Sequence, residues 1–213
     1  MRLRSADATT IVRTLLVVLL AYMIIVKFSV IADITLFALI IVMDALDGFF
    51  AVHEETKGAI GFSYYLRAAL GNPKAHAKVK EAKLSLSKSA PHGARFDVAG
   101  DRIVEYVPWI VFTYLHVLPL FLIFIVVIRH SFADALLGAK GTSSKMHSRI
   151  ARSLYASNIS RAGIQITKFV TFAYLVLVFV LSYPLWIGYV LIGILTAYIL
   201  IRGVAEIFEA LHS

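Results

Sequence analysis

The chain has 213 residues, of which 60% are hydrophobic and only 16% are charged, and its formal net charge is +8. This composition excludes an ordinary soluble domain and predicts an integral membrane protein. The basic residues recur between apolar runs instead of forming one patch, so nucleic acid is not an expected partner. With no cysteine, disulfides and thiolate metal sites are excluded as well.

Six apolar segments follow one another along the chain, each near the roughly 20 residues that a helix needs to cross a bilayer. We therefore predict an all-α polytopic membrane protein with six transmembrane helices in a single domain, 1–213. A polar, basic insertion separates the second helix from the third, at about residues 53–92. The predicted spans are about 11–26, 34–48, 97–116, 120 to a little beyond 128, 163–182 and 185–207.

The distribution of Lys and Arg predicts the orientation of these helices. Basic residues are frequent before the first span, in the 53–95 and 129–161 loops and at Arg202, whereas the alternate connections contain only Lys27. By the positive-inside rule, both termini and both long loops lie in the cytoplasm. We therefore expect a protein of the cell membrane whose site, if it lies beside these loops, faces the cytoplasm.

Two pairs of aspartates lie at the predicted cytoplasmic ends of the second and third spans. Asp44 and Asp47 are three residues apart and Asp97 and Asp101 are four apart, so each pair shares one face of a helix. Four carboxylates brought together at a membrane edge repel one another unless cations hold them, and oxygen-rich sites suit Mg²⁺, Mn²⁺ or Ca²⁺. The spacing alone also allows helix capping or ion coupling in a transporter.

The residues around the aspartates form a longer pattern. The chain reads Asp44-Ala-Leu-Asp47-Gly48-Phe-Phe-Ala51 and later Gly93-Ala-Arg-Phe-Asp97-Val-Ala-Gly-Asp101. Both segments resemble the signature of the CDP-alcohol phosphatidyltransferase family, D-x-x-D-G-x-x-A-R and then G-x-x-x-D-x-x-x-D on a six-helix membrane fold. Two further segments, Thr10-Ile-Val-Arg13 and Ser160-Arg161-Ala-Gly163, are similar to family features of the first and fifth spans.

Two features depart from the family pattern. Val52 stands where the family has an arginine, and the gap of residues 53–92 between the two halves is far longer than the family's. Within this insertion, Asn72-Pro73 predicts a turn. Residues 74–88 predict either a basic helix at the anionic leaflet surface or a solvated loop.

The resemblance implies an enzyme of phospholipid biosynthesis. It would transfer a phosphatidyl or archaetidyl group from a CDP-linked lipid to a hydroxyl acceptor and release CMP, with Asp101 as the catalytic base. Family members are commonly homodimers, so we expect a homodimer. The residues implied to bind two Mg²⁺ or Mn²⁺ ions are Asp44, Asp47, Asp97 and Asp101. Those implied to bind CDP are Asp44, Asp47, Gly48, Ala51, Gly93 and Asp97.

Basic residues in and after the 129–161 loop favour a phosphorylated acceptor, because Arg and Lys bind phosphate through charge-assisted hydrogen bonds. The resemblance favours glycerol 3-phosphate or inositol phosphate, as in the phosphatidylglycerophosphate and phosphatidylinositol-phosphate synthases. Serine or another neutral alcohol is the alternative acceptor, since the positive-inside rule alone also explains a basic loop. The candidate acceptor-binding residues are Arg129, Lys140, Arg152, Arg161 and Lys168.

A cation-coupled transporter is the alternative of another class. It predicts acids near the middle of the bilayer and an inverted repeat between the two halves of the chain. The sequence shows neither feature, and its acids cluster at one predicted face of the membrane. It therefore favours the enzyme over the transporter.

Overall fold

The computed structural model describes residues 4–89, 91–138 and 158–212, and these residues form helices and short connections without any strand. The predicted all-α class is confirmed for this part of the chain. In chain order the described helices are α1 (Ser5–Ile25), α2 (Val30–Glu55), α3 (Phe62–Ala69), α4 (Pro73–Ser89), α5 (Pro91–Tyr114), α6 (Phe121–Gly138), α7 (Asn158–Leu181) and α8 (Leu185–His212).

Three of the described helices are long and apolar enough to cross a membrane. They cover Ser5–Ile25, Ala162–Leu181 and Leu185–Phe208, and they coincide with the first, fifth and sixth predicted spans. These helices support the membrane character of the protein. The spans expected on α2, α5 and α6 stay predictions, as do the cytoplasmic termini.

The chain divides into two compact units, and the single domain expected from sequence stays a prediction. Unit 1 consists of Met1–Tyr22 and Thr35–Val107. In this unit the beginning of α1 is bonded to the end of α2. The backbone N–H and the hydroxyl of Ser5 donate to Oε2 of Glu54 at 3.0 and 2.9 Å. The N-terminal end of α1 therefore lies beside the C-terminal end of α2.

The long insertion folds into α3 and α4, so of the two alternatives for residues 74–88 the helix is the one present. The predicted turn at Asn72-Pro73 is the start of α4, where Asn72 Oδ1 accepts the backbone N–H of Ala75 at 3.1 Å and proline occupies the first helical position. Gly71, with φ of 97°, ends α3 in the left-handed region. The helices share an apolar cluster of Val52, Ile60, Ala68, Ala75, Val79 and Ala82.

Unit 2 consists of Met23–Ile34 and Pro108–Ser213. Within it, α6 and α7 both pack against α8. Aromatic rings fill part of its core: Trp109 meets the ring of Phe172 edge-on at 5.4 Å between centroids, and Phe112 stacks on the same ring at 6.1 Å. Buried aromatic contacts of this kind fix the mutual orientation of the end of α5 and α7.

Candidate carboxylate site

The four aspartates of the two sequence pairs come together in unit 1, around the guanidinium group of Arg13. Asp44 and Asp47 lie on α2, and Asp97 and Asp101 lie on α5. Nη1 of Arg13 forms an ion pair with Asp44, and Nη2 lies 2.5, 3.6 and 3.8 Å from carboxylate oxygens of Asp101, Asp47 and Asp97. We call these five residues the carboxylate cluster.

Arg13 reaches the cluster because of its position on α1. Thr10, Arg13, Val17 and Leu20 are all buried and recur at helical spacing, so they form one inward face of the helix. Arg13 itself is 0% exposed. Guanidinium groups keep their proton in proteins, so this buried charge needs carboxylates close by.

Gly100 allows α5 to come this close to α1. A Cβ added at Gly100 would collide with Cγ2 of Thr10 and would lie 3.7 Å from Nη2 of Arg13. The missing side chain therefore permits the close contact that places Asp101, the next residue, beside Arg13.

The four carboxylates differ in their exposure to solvent. The side chain of Asp47 is only 6% exposed, whereas those of Asp97 and Asp101 are 52% and 42% exposed. Both oxygens of Asp47 are buried and make no hydrogen bond within the described structure. The cluster thus has a deep acid on α2 and two acids on α5 that a molecule from outside can reach.

The donor chemistry of the cluster fits a hard divalent cation. Four carboxylates face one guanidinium, so when ionised they leave negative charge in excess, and the oxygens of Asp47 still lack hydrogen-bond donors. The described residues contain no set of three His, Cys, Asp or Glu side chains already arranged around a metal position. The guanidinium of Arg13 lies among the carboxylates, so binding a cation there requires these side chains to rearrange.

The residues expected to contact CDP lie next to the aspartates along the helices. Ala51 is one helical turn after Asp47 on α2, and Gly93 is one turn before Asp97 on α5, so each shares a face with its aspartate. At Gly48, the hydroxyl of Tyr65 lies only 2.6 Å from the position of an added Cβ. That side of Gly48 is therefore filled by α3, and its contact with CDP stays a prediction.

The residues expected to bind the acceptor belong to unit 2. Nη2 of Arg129 on α6 lies 2.6 Å from Oε2 of Glu206 on α8, and the two side chains are 10% and 3% exposed. Lys168 lies on α7 and is partly buried. Arg161 lies on α7 with its side chain outside the described structure, and Lys140 and Arg152 lie outside the described residues.

The Ser-Arg-x-Gly segment at the start of α7 packs against α8. The hydroxyl of Tyr198 donates to the backbone carbonyl of Ser160 at 2.9 Å, and Nη1 of Arg202 donates to the same oxygen at 3.4 Å. A Cβ added at Gly163 would lie 3.2 Å from the Tyr198 hydroxyl. The small residues of this segment therefore allow a close, hydrogen-bonded contact between the two helices.

Two partners of the candidate residues were not predicted from sequence. From sequence, Arg13 stands out only as part of a family-like segment, and Glu206 belongs to no motif. The signal for Glu206 was its position inside a predicted span, where an unpaired carboxylate is costly and therefore points to a buried partner.

Comparison with protein-family models, curated proteins and solved structures finds no match to this chain. The likeness to CDP-alcohol phosphatidyltransferases therefore rests on the residues of the chain itself.

Proposed function

We propose that the protein is a membrane CDP-alcohol phosphatidyltransferase, which transfers a phosphatidyl or archaetidyl group from a CDP-linked lipid to a hydroxyl acceptor and releases CMP. The carboxylate cluster carries the proposal. Asp44 and Asp47 are separated from Asp97 and Asp101 by an insertion of about forty residues, yet the four acids meet at Arg13. Such a convergence of carboxylates favours a cation-dependent site over helix capping.

In this proposal Asp44, Asp47, Asp97 and Asp101 hold Mg²⁺ or Mn²⁺. When bound, such ions neutralise charge on a pyrophosphate and align an in-line displacement at phosphorus. Asp101 takes the proton from the acceptor hydroxyl as that oxygen bonds to the lipid-side phosphorus. The bond from this phosphorus to the bridging oxygen breaks, and its electron pair leaves with CMP. The partial exposure of Asp101 supports this role, because an acceptor can reach its carboxylate.

The acceptor in this proposal is a phosphorylated polyol, glycerol 3-phosphate or inositol phosphate, which basic residues of the predicted set would bind. One observation favours the alternative of serine or another neutral alcohol. Arg129, a residue of that set, already pairs with Glu206. A panel of phosphorylated and neutral acceptors separates the two, because turnover with serine alone would overturn the phosphorylated acceptor.

The test is CMP release by the purified full chain from CDP-lipid, with and without a chelator. We expect chelation to abolish release and Asp101→Asn to lower the rate by about 100-fold or more, since loss of a general base costs about 10²–10⁴. Asp47→Asn should also lower the rate strongly, because Asp47 would hold the metal. Asp7→Asn is the matched control, because Asp7 also pairs with an arginine in unit 1, at 2.9 Å from Arg4.

Near wild-type rates in both site variants would refute the proposal. A chain that moves cations into proteoliposomes in an aspartate-dependent way, without releasing CMP, would support a transporter instead.

A further inference from the structure

Helix α3 has one buried face and one exposed apolar face. Ala68 belongs to the apolar cluster shared with α4, and Tyr64 and Tyr65 pack against that cluster. Phe62, Leu66 and Leu70 recur every four residues on the other side of the helix. Leu66 is 45% exposed and Leu70 is 79% exposed. The exposed residues form a continuous apolar stripe along α3 and its C-terminal cap.

Basic residues accompany this stripe. Residues 62–89 contain six Lys and Arg residues and a single acid, Glu81. Arg67, Lys74 and Lys78 are exposed, and such long side chains can lay their methylene stems along apolar surface while the charges stay among polar groups. An apolar stripe flanked by cations is typical of helices that lie in the interface of an anionic membrane leaflet.

Hydrogen bonds hold α4 at one end of a candidate membrane span. Ser85 Oγ of α4 donates to Glu55 Oε1 at 2.6 Å, and the neighbouring Glu54 accepts hydrogen bonds from Ser5, the first residue of α1. When the candidate span Ser5–Ile25 crosses a bilayer, the end of α2 and the attached α4 lie near its headgroup end, and α3 packs against α4. An apolar stripe in this position is within reach of the bilayer.

We propose that α3 and α4 form an interfacial anchor for an anionic lipid surface. Leu66, Leu70 and the exposed part of Phe62 insert between lipid headgroups, while Arg67, Lys74 and Lys78 bind the anionic groups. The anchor goes beyond the proposed enzymatic function, since it requires neither metal nor CDP-lipid. It fixes the depth of the end of α2 relative to the headgroups.

The absence of cysteine makes a depth measurement straightforward. A nitroxide is attached to Leu66→Cys or Leu70→Cys in the full chain, in nanodiscs of neutral lipid alone or with anionic phosphatidylglycerol. Ala77→Cys is the control, because it lies on α4 opposite the buried Ala75 and Val79. The measured quantity is the accessibility of each label to oxygen relative to a water-soluble nickel chelate. In anionic discs we expect this ratio to be severalfold higher at positions 66 and 70 than at position 77.

Lys74→Gln with Lys78→Gln in the labelled chain should reduce the difference between the two lipid compositions. Labels at 66 and 70 that stay as accessible to the nickel chelate as position 77 would overturn the anchor. Equal depth in neutral and anionic discs would overturn its preference for anionic lipid. Labels that are shielded from both reagents and show dipolar coupling between different copies would identify a second copy as the occupant of the stripe. That result would overturn the proposal that lipid covers it.

Discussion

Arg13 in unit 1 is buried and Arg129 in unit 2 is 10% exposed, and both pair with carboxylates from other helices. Arg13 contacts four aspartates, whereas Arg129 pairs with Glu206 at 2.6 Å. In the second contact a guanidinium meets a carboxylate of opposite charge, as in a structural ion pair. In the first, the ionised carboxylates outnumber the guanidinium, and in the proposed function a divalent cation compensates this excess.

The comparison separates two uses of a buried charge. Removing one partner of a buried pair is costly because it leaves the other charge without compensation, but replacing both by apolar groups is often neutral. In the carboxylate cluster, by contrast, apolar substitutions would remove the four acids that the proposed site uses. We therefore expect the contact of Arg129 with Glu206 to serve stability, and the carboxylate cluster to keep its charges for a bound ligand.

The largest effect is expected from Arg13→Gln. It should lower the free energy of unfolding by about 3–5 kcal/mol, because the buried Asp47 loses its counter-ion while the other three acids still repel it. Added Mg²⁺ or Mn²⁺ should restore about 2.7 kcal/mol at a concentration of about 100 Kd, by binding only the folded chain. Thermal unfolding in detergent with and without metal measures both changes.

Arg129→Gln is the matched control for that experiment. It also removes an arginine that pairs with a carboxylate. The glutamate that remains does not form a cluster of four acids that would bind a divalent ion. Equal rescue of both variants by metal would contradict the distinction between the two sites, as would a negligible effect of Arg13→Gln.

The second prediction concerns the pair in unit 2. Glu206→Leu should cost about 3–5 kcal/mol alone, since it leaves the guanidinium of Arg129 buried without this partner. Adding Arg129→Met should recover most of the loss, because the double variant buries apolar groups of similar size. A double-mutant cycle from denaturant unfolding gives the coupling energy. Strictly additive losses would show that the two side chains do not act as a pair.

The sequence predicted the local part of the carboxylate cluster well. Spacings of three and four residues place Asp44 with Asp47 and Asp97 with Asp101 whatever the tertiary structure is, because the helical repeat alone decides it. The pairing with Arg13 depends on how α1 is rotated against α2 and α5, which no local pattern states. The acids were therefore predictable, while the cation among them was not.

The insertion shows the same limit. Asn72 and Pro73 indicate the start of α4, because side-chain capping and a fixed φ act within a few residues. The sequence left open whether the following lysines form a helix or a solvated loop. Burial of Ala75 and Val79 against α3 decides it, and that depends on contacts with residues outside the segment.

The smallest effect, and the closest test of the geometry around Arg13, comes from Gly100→Ala. The added methyl meets Cγ2 of Thr10, whose β-branched side chain is held in few rotamers. Overpacking of this kind costs about 1–3 kcal/mol, and the better helix propensity of alanine returns up to about 1 kcal/mol. We expect a small net loss of stability, measured by thermal unfolding.

Thr10→Ser makes this prediction specific. Serine keeps the hydroxyl that donates to the Ala6 carbonyl at 3.1 Å but lacks the methyl group in the way, so Gly100→Ala should be tolerated better in that background. Gly203→Ala offers the counterpart in unit 2, where the added methyl meets the side chain of Arg129. That contact includes Cγ of Arg129, and Glu206 holds the guanidinium of the same side chain, so we expect a loss of stability there that Thr10→Ser does not relieve. If Gly100→Ala costs the same with Thr or Ser at position 10, the methyl group of Thr10 is not the obstacle. The close contact between α1 and α5 at Gly100 would then be wrong.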